Sequence, residues 1–246
     1  MYKPKTAMVL AAGLATRMRP LSQSRPKALA EVAGKALVDH ALDRLAEVGV
    51  ERAVVNTHYL SDQIERHLAG RKRPAIQISH EETILDTGGG IAKALPLLGP
   101  DAFYVVNAKI VWRGGQSEAL SRLAAMWDDG RMDGLLLLQP TVTAVGYDGP
   151  GDLTMDQFGR LRFREPQEVA PFVYASIQML HPRLFADAPK GAFPLRPLWE
   201  RATAVGRLYG LRHDGEWYHV ATPQGLAEAE ARLGSAGDRR AHNGIT

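Results

Sequence analysis

The chain of 246 residues contains no cysteine. This absence excludes a disulfide scaffold, a cysteine nucleophile and a metal site built on thiolates, and it fits a reducing compartment. Long apolar runs are also missing, since no segment reaches the roughly 18 residues that a membrane helix needs. The apolar run at residues 7–15 follows Lys3 and Lys5, so it fits either the core of a signal peptide or a buried strand.

The net charge is also small. Lys and Arg number 30 against 27 Asp and Glu, which leaves a formal net charge of +3. So small an excess does not predict nucleic-acid binding, although it is compatible with a small phosphorylated substrate. Apolar residues make up 45% of the chain and charged residues 23%, which is ordinary for a globular protein with a sizeable core.

Short apolar segments alternate with amphipathic ones up to residue 140. The pattern predicts buried strands at 6–12, 53–56, 75–79, 103–107 and 134–139, and helices at 37–48, 62–68, 91–98 and 118–127. This alternation predicts an α/β fold with a Rossmann-like, mostly parallel sheet and helices on both faces. Such sheets bind ligands beyond the carboxyl ends of their strands, so we expect the site in the loops after Ala12, Asn56, His80 and Asn107.

The second part of the chain has a different rhythm. A hairpin is predicted from 152–155 and 161–164, with strands at 172–180 and 208–212 and helices at 195–204 and 225–233. We interpret residues 1–233 as one domain that ends in a small carboxyl-terminal α+β lobe. The small and polar segment 234–246 is expected to be a flexible tail.

The loop after the first strand, Leu10–Pro20, carries the strongest functional signal. Its small residues allow backbone N–H groups to approach a ligand, and Thr16, Arg17 and Arg19 add donors and positive charge. Together these features indicate a cradle for a polyphosphate. The loop lacks both the Gly-Lys-Ser/Thr of a P-loop and the GxGxxG spacing, and a basic surface turn is the alternative interpretation.

Five short motifs carry a family resemblance, and they occur in order over nearly the whole chain. They are Leu10–Pro20, Arg25–Leu29, Val32–Leu37, Asp86–Leu95 and Trp217–Pro223. The chain resembles the sugar-1-phosphate nucleotidyltransferases, and among them the small single-domain uridylyltransferases that act on N-acetylmuramic acid 1-phosphate in peptidoglycan recycling. Mannose- and heptose-1-phosphate guanylyltransferases are related alternatives.

The resemblance implies a bacterial, cytoplasmic enzyme that joins a nucleoside triphosphate to a sugar 1-phosphate and releases pyrophosphate. The expected partners are these two substrates, with no nucleic acid and no membrane, while the oligomeric state stays open. Residues 1–140 would form the nucleotide-binding core and residues 141–233 the sugar-binding lobe.

The same resemblance assigns roles to individual residues. Arg17 would hold the triphosphate and Lys27 the attacking sugar phosphate, although each could instead be a solvated surface charge. The residues expected near the nucleotide are Leu10, Ala12, Gly13, Ala15, Thr16, Gly88 and Asn107. Those expected near the sugar are Asp152, Glu165, Tyr174 and Ser176. Gly88 would let backbone approach the base or ribose and could at the same time serve as a helix-entry turn. Tyr174 and Ser176 fit a core strand equally well.

The chain departs from the family pattern at both expected metal positions. The family's Mg²⁺-binding Asp after the fourth strand is replaced by Lys109, which cannot coordinate Mg²⁺. The Asp of the Trp-x-Asp-Val-Gly-Thr segment is replaced by His219, a poor Mg²⁺ ligand and by itself more typical of a structural histidine. Mg²⁺ is therefore expected from the family but in doubt here. Ala15 stands at a family glycine and would be strained if relatives use a positive φ there.

Three hypotheses follow from these departures. The protein is an active nucleotidyltransferase with an altered metal site, or a metal-independent or slow enzyme in which the Lys109 ammonium takes the place of Mg²⁺, or a pseudoenzyme that binds nucleotide or nucleotide-sugar without turnover. The continuity between residues 7–15 and the motifs that follow also decides the earlier alternative. We interpret this run as the first strand of the fold and not as a signal peptide.

Overall fold

The computed structural model describes the backbone of residues 2–242 and the side chains as far as residue 234. Thirteen strands are present in this part of the chain: β1 Thr6–Leu10, β2 Glu31–Val32, β3 Lys35–Ala36, β4 Arg52–Thr57, β5 Ala75–His80, β6 Phe103–Asn107, β7 Ile110–Trp112, β8 Gly134–Pro140, β9 Leu153–Met155, β10 Leu161–Phe163, β11 Phe172–Leu180, β12 Leu208–Arg212 and β13 Trp217–His219. The helices are α1 Leu37–Glu47, α2 Ser61–Leu68, α3 Asp86–Leu98, α4 Ala119–Met126, α5 Arg196–Ala204 and α6 Pro223–His242.

The central sheet has nine strands, and its parallel core has the order β5-β4-β1-β6. The chain runs outward from β1 through β4 to β5 and then returns across the sheet to β6. The loops after β1 and β6 therefore leave the sheet in diverging directions and open a crevice between them, where ligands of such sheets bind. Beyond β6, the antiparallel strand β11 extends the sheet, flanked by the β9–β10 hairpin and by the parallel pair of β8 and β12.

Each central strand contributes alternate side chains to two separate cores. Ala7 and Val9 of β1 belong to the cluster that α1, α2 and α4 cover, whereas Met8 faces α3 and α5. All three side chains are fully buried. Because both faces are covered, the strand is a continuous apolar run, as predicted for a sheet with helices on both sides.

The predicted α/β fold with helices on both faces of a mostly parallel sheet is confirmed. The short pairs β2–β3 and β7–β13 were not predicted, since strands of two or three residues leave no periodicity to detect. The last helix continues past Leu233, its predicted end, as far as His242. Of the predicted tail at 234–246, only the first residue lies within the range whose side chains are described. Within the described chain, no helix is long and apolar enough to cross a membrane.

Helix α3 begins at Asp86, five residues before its predicted start, because its glycines are helical and not part of a loop. A Cβ on Gly88 would lie 2.4 Å from the ring of Phe193, and one on Gly89 would lie 2.3 Å from the Gly191 carbonyl oxygen. The N–H groups of both glycines donate to the Phe193 carbonyl oxygen, at 3.0 and 3.1 Å. The glycines therefore let the start of α3 pack directly against the segment before α5.

A Gly88→Ala substitution is expected to destabilise the protein by about 1–3 kcal/mol, because the new methyl group meets the Phe193 ring and backbone. This loss should outweigh the gain of up to about 1 kcal/mol that alanine brings to a helix. Urea unfolding followed by circular dichroism measures the change. Gly13→Ala is the matched control, since a Cβ there meets nothing within 4 Å; equal stability of the two variants would contradict the packing role.

Candidate active site

A cavity of about 550 Å³ lies at the carboxyl ends of β1 and β6. This volume is in the range that holds a small-molecule ligand. Nine of the residues expected to bind substrate or metal line it: Leu10, Ala12, Gly13, Ala15, Thr16, Arg17, Lys27, Asn107 and Lys109. Residues widely separated in the chain thus converge on the crevice where the topology predicts a ligand.

The loop after β1 forms one wall of the cavity. Ala15 has φ 50° and ψ 40°, in the left-handed region that glycine prefers. Its carbonyl oxygen accepts hydrogen bonds from the Ser22 hydroxyl at 2.8 Å and from the Met18 N–H at 2.9 Å. Two hydrogen bonds and the buried Met18 side chain therefore hold the loop in a conformation that alanine adopts with strain.

Three basic side chains line this cavity without a protein counter-ion. Arg17, Lys27 and Lys109 form no ion pair and no side-chain hydrogen bond within the described residues. Burial, together with the charges of Lys109 and Arg17, lowers the pKa of Lys27 from 10.5 to about 7. Burial and the charge of Arg17 also lower the pKa of Lys109, which the carboxylate of Asp152 opposes. The cavity therefore carries positive charge that no side chain of the described residues neutralises.

The short pair β7–β13 positions Lys109 and His219. The two strands are antiparallel with His219 opposite Ile110, and the Val220 N–H donates to the Lys109 carbonyl oxygen at 2.9 Å. The ring of His219 stacks on Trp217, with 5.5 Å between centroids. Burial and the charges of Lys109, Lys27 and Arg17 lower the pKa of His219 to about 3, so the imidazole is neutral at physiological pH.

The residues present do not fit the Mg²⁺ ion that the resemblance implies. Proteins hold Mg²⁺ through one or two carboxylates together with water and substrate phosphates. The described residues contain no cluster of three or more His, Cys, Asp or Glu side chains that could hold a metal ion. Two carboxylates line the cavity, but Glu81 accepts hydrogen bonds from Asn56 and from the Leu85 N–H, and Asp86 accepts one from the Thr87 N–H.

A buried hydrogen-bond network formed by Asn56 and Glu81 also lines the cavity, and it was not predicted from the sequence. Asn56 accepts a hydrogen bond from the Ala11 N–H at 2.8 Å and donates to Glu81 Oε1 at 2.7 Å. A Cβ on Gly90 would lie 2.7 Å from that carboxylate oxygen, so the glycine leaves room for the network. Asn56 ends a predicted strand, which marks it as a candidate position, but no motif connects it to Glu81.

The residues expected to bind the sugar do not line the cavity. Tyr174 packs edge-on against Trp199 in the core, with 4.8 Å between ring centroids, and its hydroxyl is buried without a hydrogen-bond partner in the described structure. Asp152 accepts a hydrogen bond from the Tyr174 N–H at 3.0 Å, and Glu165 is exposed on a loop. Ser176 is buried at a bulge of β11 with φ 63°. Their roles in sugar binding stay predictions.

The expected approach of the Gly88 backbone to a base or ribose stays a prediction. Gly88 lies outside the cavity lining, and its N–H group already donates to the Phe193 carbonyl oxygen. The close contact that requires glycine here is with the Phe193 ring. The packing at the start of α3 therefore accounts for the glycine, and it is compatible with the predicted approach to a ligand.

Comparison with known proteins adds independent findings. Residues 6–147 match the nucleotidyl transferase family. The chain is 48% identical to an N-acetylmuramate alpha-1-phosphate uridylyltransferase of Caulobacter vibrioides, over 95% of this chain and 98% of the relative. It is 30% identical to the enzyme of the same name from Neisseria meningitidis, over 93% and 98% of the two chains.

Solved structures agree on the fold. A putative glucose-1-phosphate thymidylyltransferase from Bacillus anthracis superposes with a TM-score of 0.79 over 93% of this chain and 95% of that chain, at 14% sequence identity. At so low an identity the likeness concerns the arrangement of helices and strands. It supports the fold alone.

An Ala15→Gly substitution is expected to stabilise the protein by up to about 1 kcal/mol. Left-handed backbone costs alanine about 1–2 kcal/mol, and the greater freedom of glycine in the unfolded chain offsets part of the gain. Thermal unfolding should show a rise of about 1–3 °C. Ala11→Gly is the control, because Ala11 is not among the positive-φ residues and should lose stability. A fall in both variants would contradict the strain.

Anion binding is expected to be coupled to proton uptake by Lys27. In the free protein its pKa of about 7 leaves the amine largely neutral at pH 8, and a bound anion raises that pKa by favouring the charged form. The contribution of Lys27 to affinity is therefore full below pH 7 and is lost as the pH rises through the higher pKa of the bound state.

Calorimetry of UTP binding at pH 8, in two buffers of different ionisation enthalpy, measures this uptake. Wild type should take up a substantial fraction of one proton. Lys27→Arg should take up less, because a guanidinium stays charged at this pH. Equal uptake by the two proteins would show that Lys27 is not the titrating group.

Proposed function

The chain belongs to the nucleotidyl transferase family, and we propose that within this family it joins UTP to N-acetylmuramic acid 1-phosphate. The products would be UDP-N-acetylmuramic acid and pyrophosphate. The choice of substrates is supported by the two uridylyltransferases reported above, both of which match over more than nine-tenths of either chain. Their agreement favours this pair over GTP and a mannose or heptose phosphate.

The observation that carries the proposal is the cavity at the carboxyl ends of β1 and β6, whose three basic side chains form no ion pair with the residues that the structure describes. Two highly anionic reactants must meet for nucleotidyl transfer, and their repulsion has to be offset by positive charge in the site. Arg17, Lys27 and Lys109 supply that charge from separate loops. The cavity is also of the size that a nucleotide requires.

The proposed reaction is an in-line displacement. A phosphate oxygen of the sugar 1-phosphate attacks the α-phosphorus of UTP, the bond from that phosphorus to the bridging oxygen of the β-phosphate breaks, and pyrophosphate leaves with the electron pair. The attacking oxygen is already an anion, so no general base is required. Catalysis then consists of positioning the reactants and stabilising charge.

We assign the Arg17 guanidinium to the β- and γ-phosphates, because its planar fork suits bidentate contact with phosphate. Lys27 is assigned to the attacking sugar phosphate. The cavity-lining residues of the β1 loop and Asn107 would surround the nucleotide. We further propose that residues 1–140 bind the nucleotide, that residues 141–233 hold the sugar beside Asp152, and that the protein acts in the cytoplasm.

One observation favours a second candidate function, that of a binder without turnover. Lys109 and His219 remove both carboxylates that the family resemblance assigns to the metal. Such a protein would bind UTP or the nucleotide-sugar in the same cavity but release no pyrophosphate. A turnover assay separates the two functions directly.

Pyrophosphate release should be measured for UTP, GTP, CTP and dTTP with the 1-phosphates of N-acetylmuramic acid, mannose and N-acetylglucosamine. Each pair is tested with Mg²⁺, with Mn²⁺ and with EDTA. We expect the highest kcat/KM for UTP with N-acetylmuramic acid 1-phosphate, by at least about tenfold. Preference for GTP would overturn the assignment of the base, and UTP binding without any release would select the second candidate.

Replacing Arg17 by Ala is expected to lower kcat/KM by about 10²–10³, since a charge contact with the transferring phosphates is lost. Arg17 is exposed, so the stability of the protein should stay unchanged. Lys72→Met is the control, because it removes an exposed charge outside the cavity. A loss below about threefold for Arg17→Ala would contradict its assigned role.

A further inference from the structure

Lys109 is a fixed part of the cavity wall. Its N–H donates to the Asn107 carbonyl oxygen at 2.7 Å, and its carbonyl oxygen accepts from the Val220 N–H at 2.9 Å. The preceding N–H, of Ala108, donates to the Leu10 carbonyl oxygen at 3.0 Å. These hydrogen bonds tie the turn after β6 to both β1 and β13. The lysine therefore begins at a defined point between the two strands that open the crevice.

The ammonium group of Lys109 has no protein partner to neutralise it. Asp152 is the carboxylate that influences it electrostatically, yet no carboxylate among the described residues lies within ion-pair distance. Arg17 adds a like charge from the β1 loop. A partly buried lysine in this situation is costly for the free protein unless a ligand supplies negative charge.

His219 does not provide that negative charge, and a neutral imidazole is a poor ligand for Mg²⁺. Its imidazole is neutral, partly buried and stacked on Trp217. A divalent cation beside the turn after β6 would face the positive charges of Lys109 and Arg17. The two carboxylates that line the cavity, Glu81 and Asp86, already accept hydrogen bonds from the protein. Mg²⁺ already bound to a triphosphate would also cancel two of the negative charges that Lys109 and Arg17 attract.

We propose that the cavity binds its polyphosphate as the metal-free anion, with Lys109 providing the positive charge that a divalent cation provides in a carboxylate site. This proposal rests on the proposed function only in taking a nucleoside triphosphate as the natural ligand. Mg²⁺ in solution then competes with the protein for the phosphates. Binding, and any turnover, should persist when metal is removed.

Calorimetry with UTP and with inorganic tripolyphosphate, each in excess EDTA and in saturating Mg²⁺, tests the proposal. Tripolyphosphate is included because it reports on the phosphate site whatever the base preference. For wild type we expect both ligands to bind at least about fivefold more tightly in EDTA. Tighter binding in Mg²⁺, or no binding of either ligand, would overturn the proposal.

Variants at Lys109 make the test specific. Lys109→Met keeps the length of the side chain and should weaken binding in EDTA by about tenfold or more. The control Lys72→Met, which removes a charge outside the cavity, should bind like wild type. Unchanged binding by Lys109→Met would overturn the role of the ammonium group. Thermal unfolding of each variant shows whether the fold is retained.

The double variant Lys109→Asp/His219→Asp introduces carboxylates at both positions. It should reverse the order, so that UTP binds more tightly in Mg²⁺ than in EDTA. Failure to reverse in a folded double variant would count against the proposal, and if the variant does not fold, Lys109→Met decides. Metal-free binding of UTP without pyrophosphate release would leave this inference intact and overturn the proposed function alone.

Discussion

Repulsion among three basic side chains at the carboxyl ends of β1 and β6 is the interaction on which this site depends. Arg17, Lys27 and Lys109 come from three different loops, and each loop is fixed by backbone hydrogen bonds or by the 3₁₀ turn that contains it. The lowered pKa of Lys27 shows how strongly burial and like charge oppose the ammonium ion. A phosphate chain between these groups would offset both effects, so the arrangement of the three side chains favours a polyphosphate ligand.

The rest of the fold keeps that arrangement in place. The return of the chain from β5 across the sheet to β6 opens the crevice. The pair β7–β13 holds Lys109 and Ala221, which lie beside these strands, in the cavity lining. Asn56 and Glu81 satisfy each other and the Ala11 N–H, so the start of the loop is held by a buried hydrogen-bond network. The missing side chain of Gly90 is the condition for that network, because any Cβ would touch the Glu81 carboxylate.

The sequence predicted the central fold well, since buried strands and amphipathic helices each leave a periodic trace over five or more residues. Nine of the nineteen residues that line the cavity were also named from the sequence, because the motifs of a known family mark those positions. The pairing of β7 with β13 was out of reach, since it joins residues more than one hundred positions apart through strands of three residues. The packing of Gly88 against Phe193 could not be predicted, because a glycine that packs against a ring and one that admits a ligand look the same in sequence.

Lys109 and His219, which replace the two carboxylates expected at the metal positions, have related effects on the charge of the site. If position 219 held a carboxylate, Lys109 would have an oppositely charged neighbour, and its charge would be used within the protein. A neutral imidazole leaves the ammonium unpaired and available to a ligand. Burial lowers the pKa of this imidazole, and the charges of Lys109, Lys27 and Arg17 lower it further, so His219 stays neutral. His219 thus leaves the positive charge of Lys109 unneutralised and adds no further positive charge to the site. The effect of each replacement on the charge of the site therefore depends on the other.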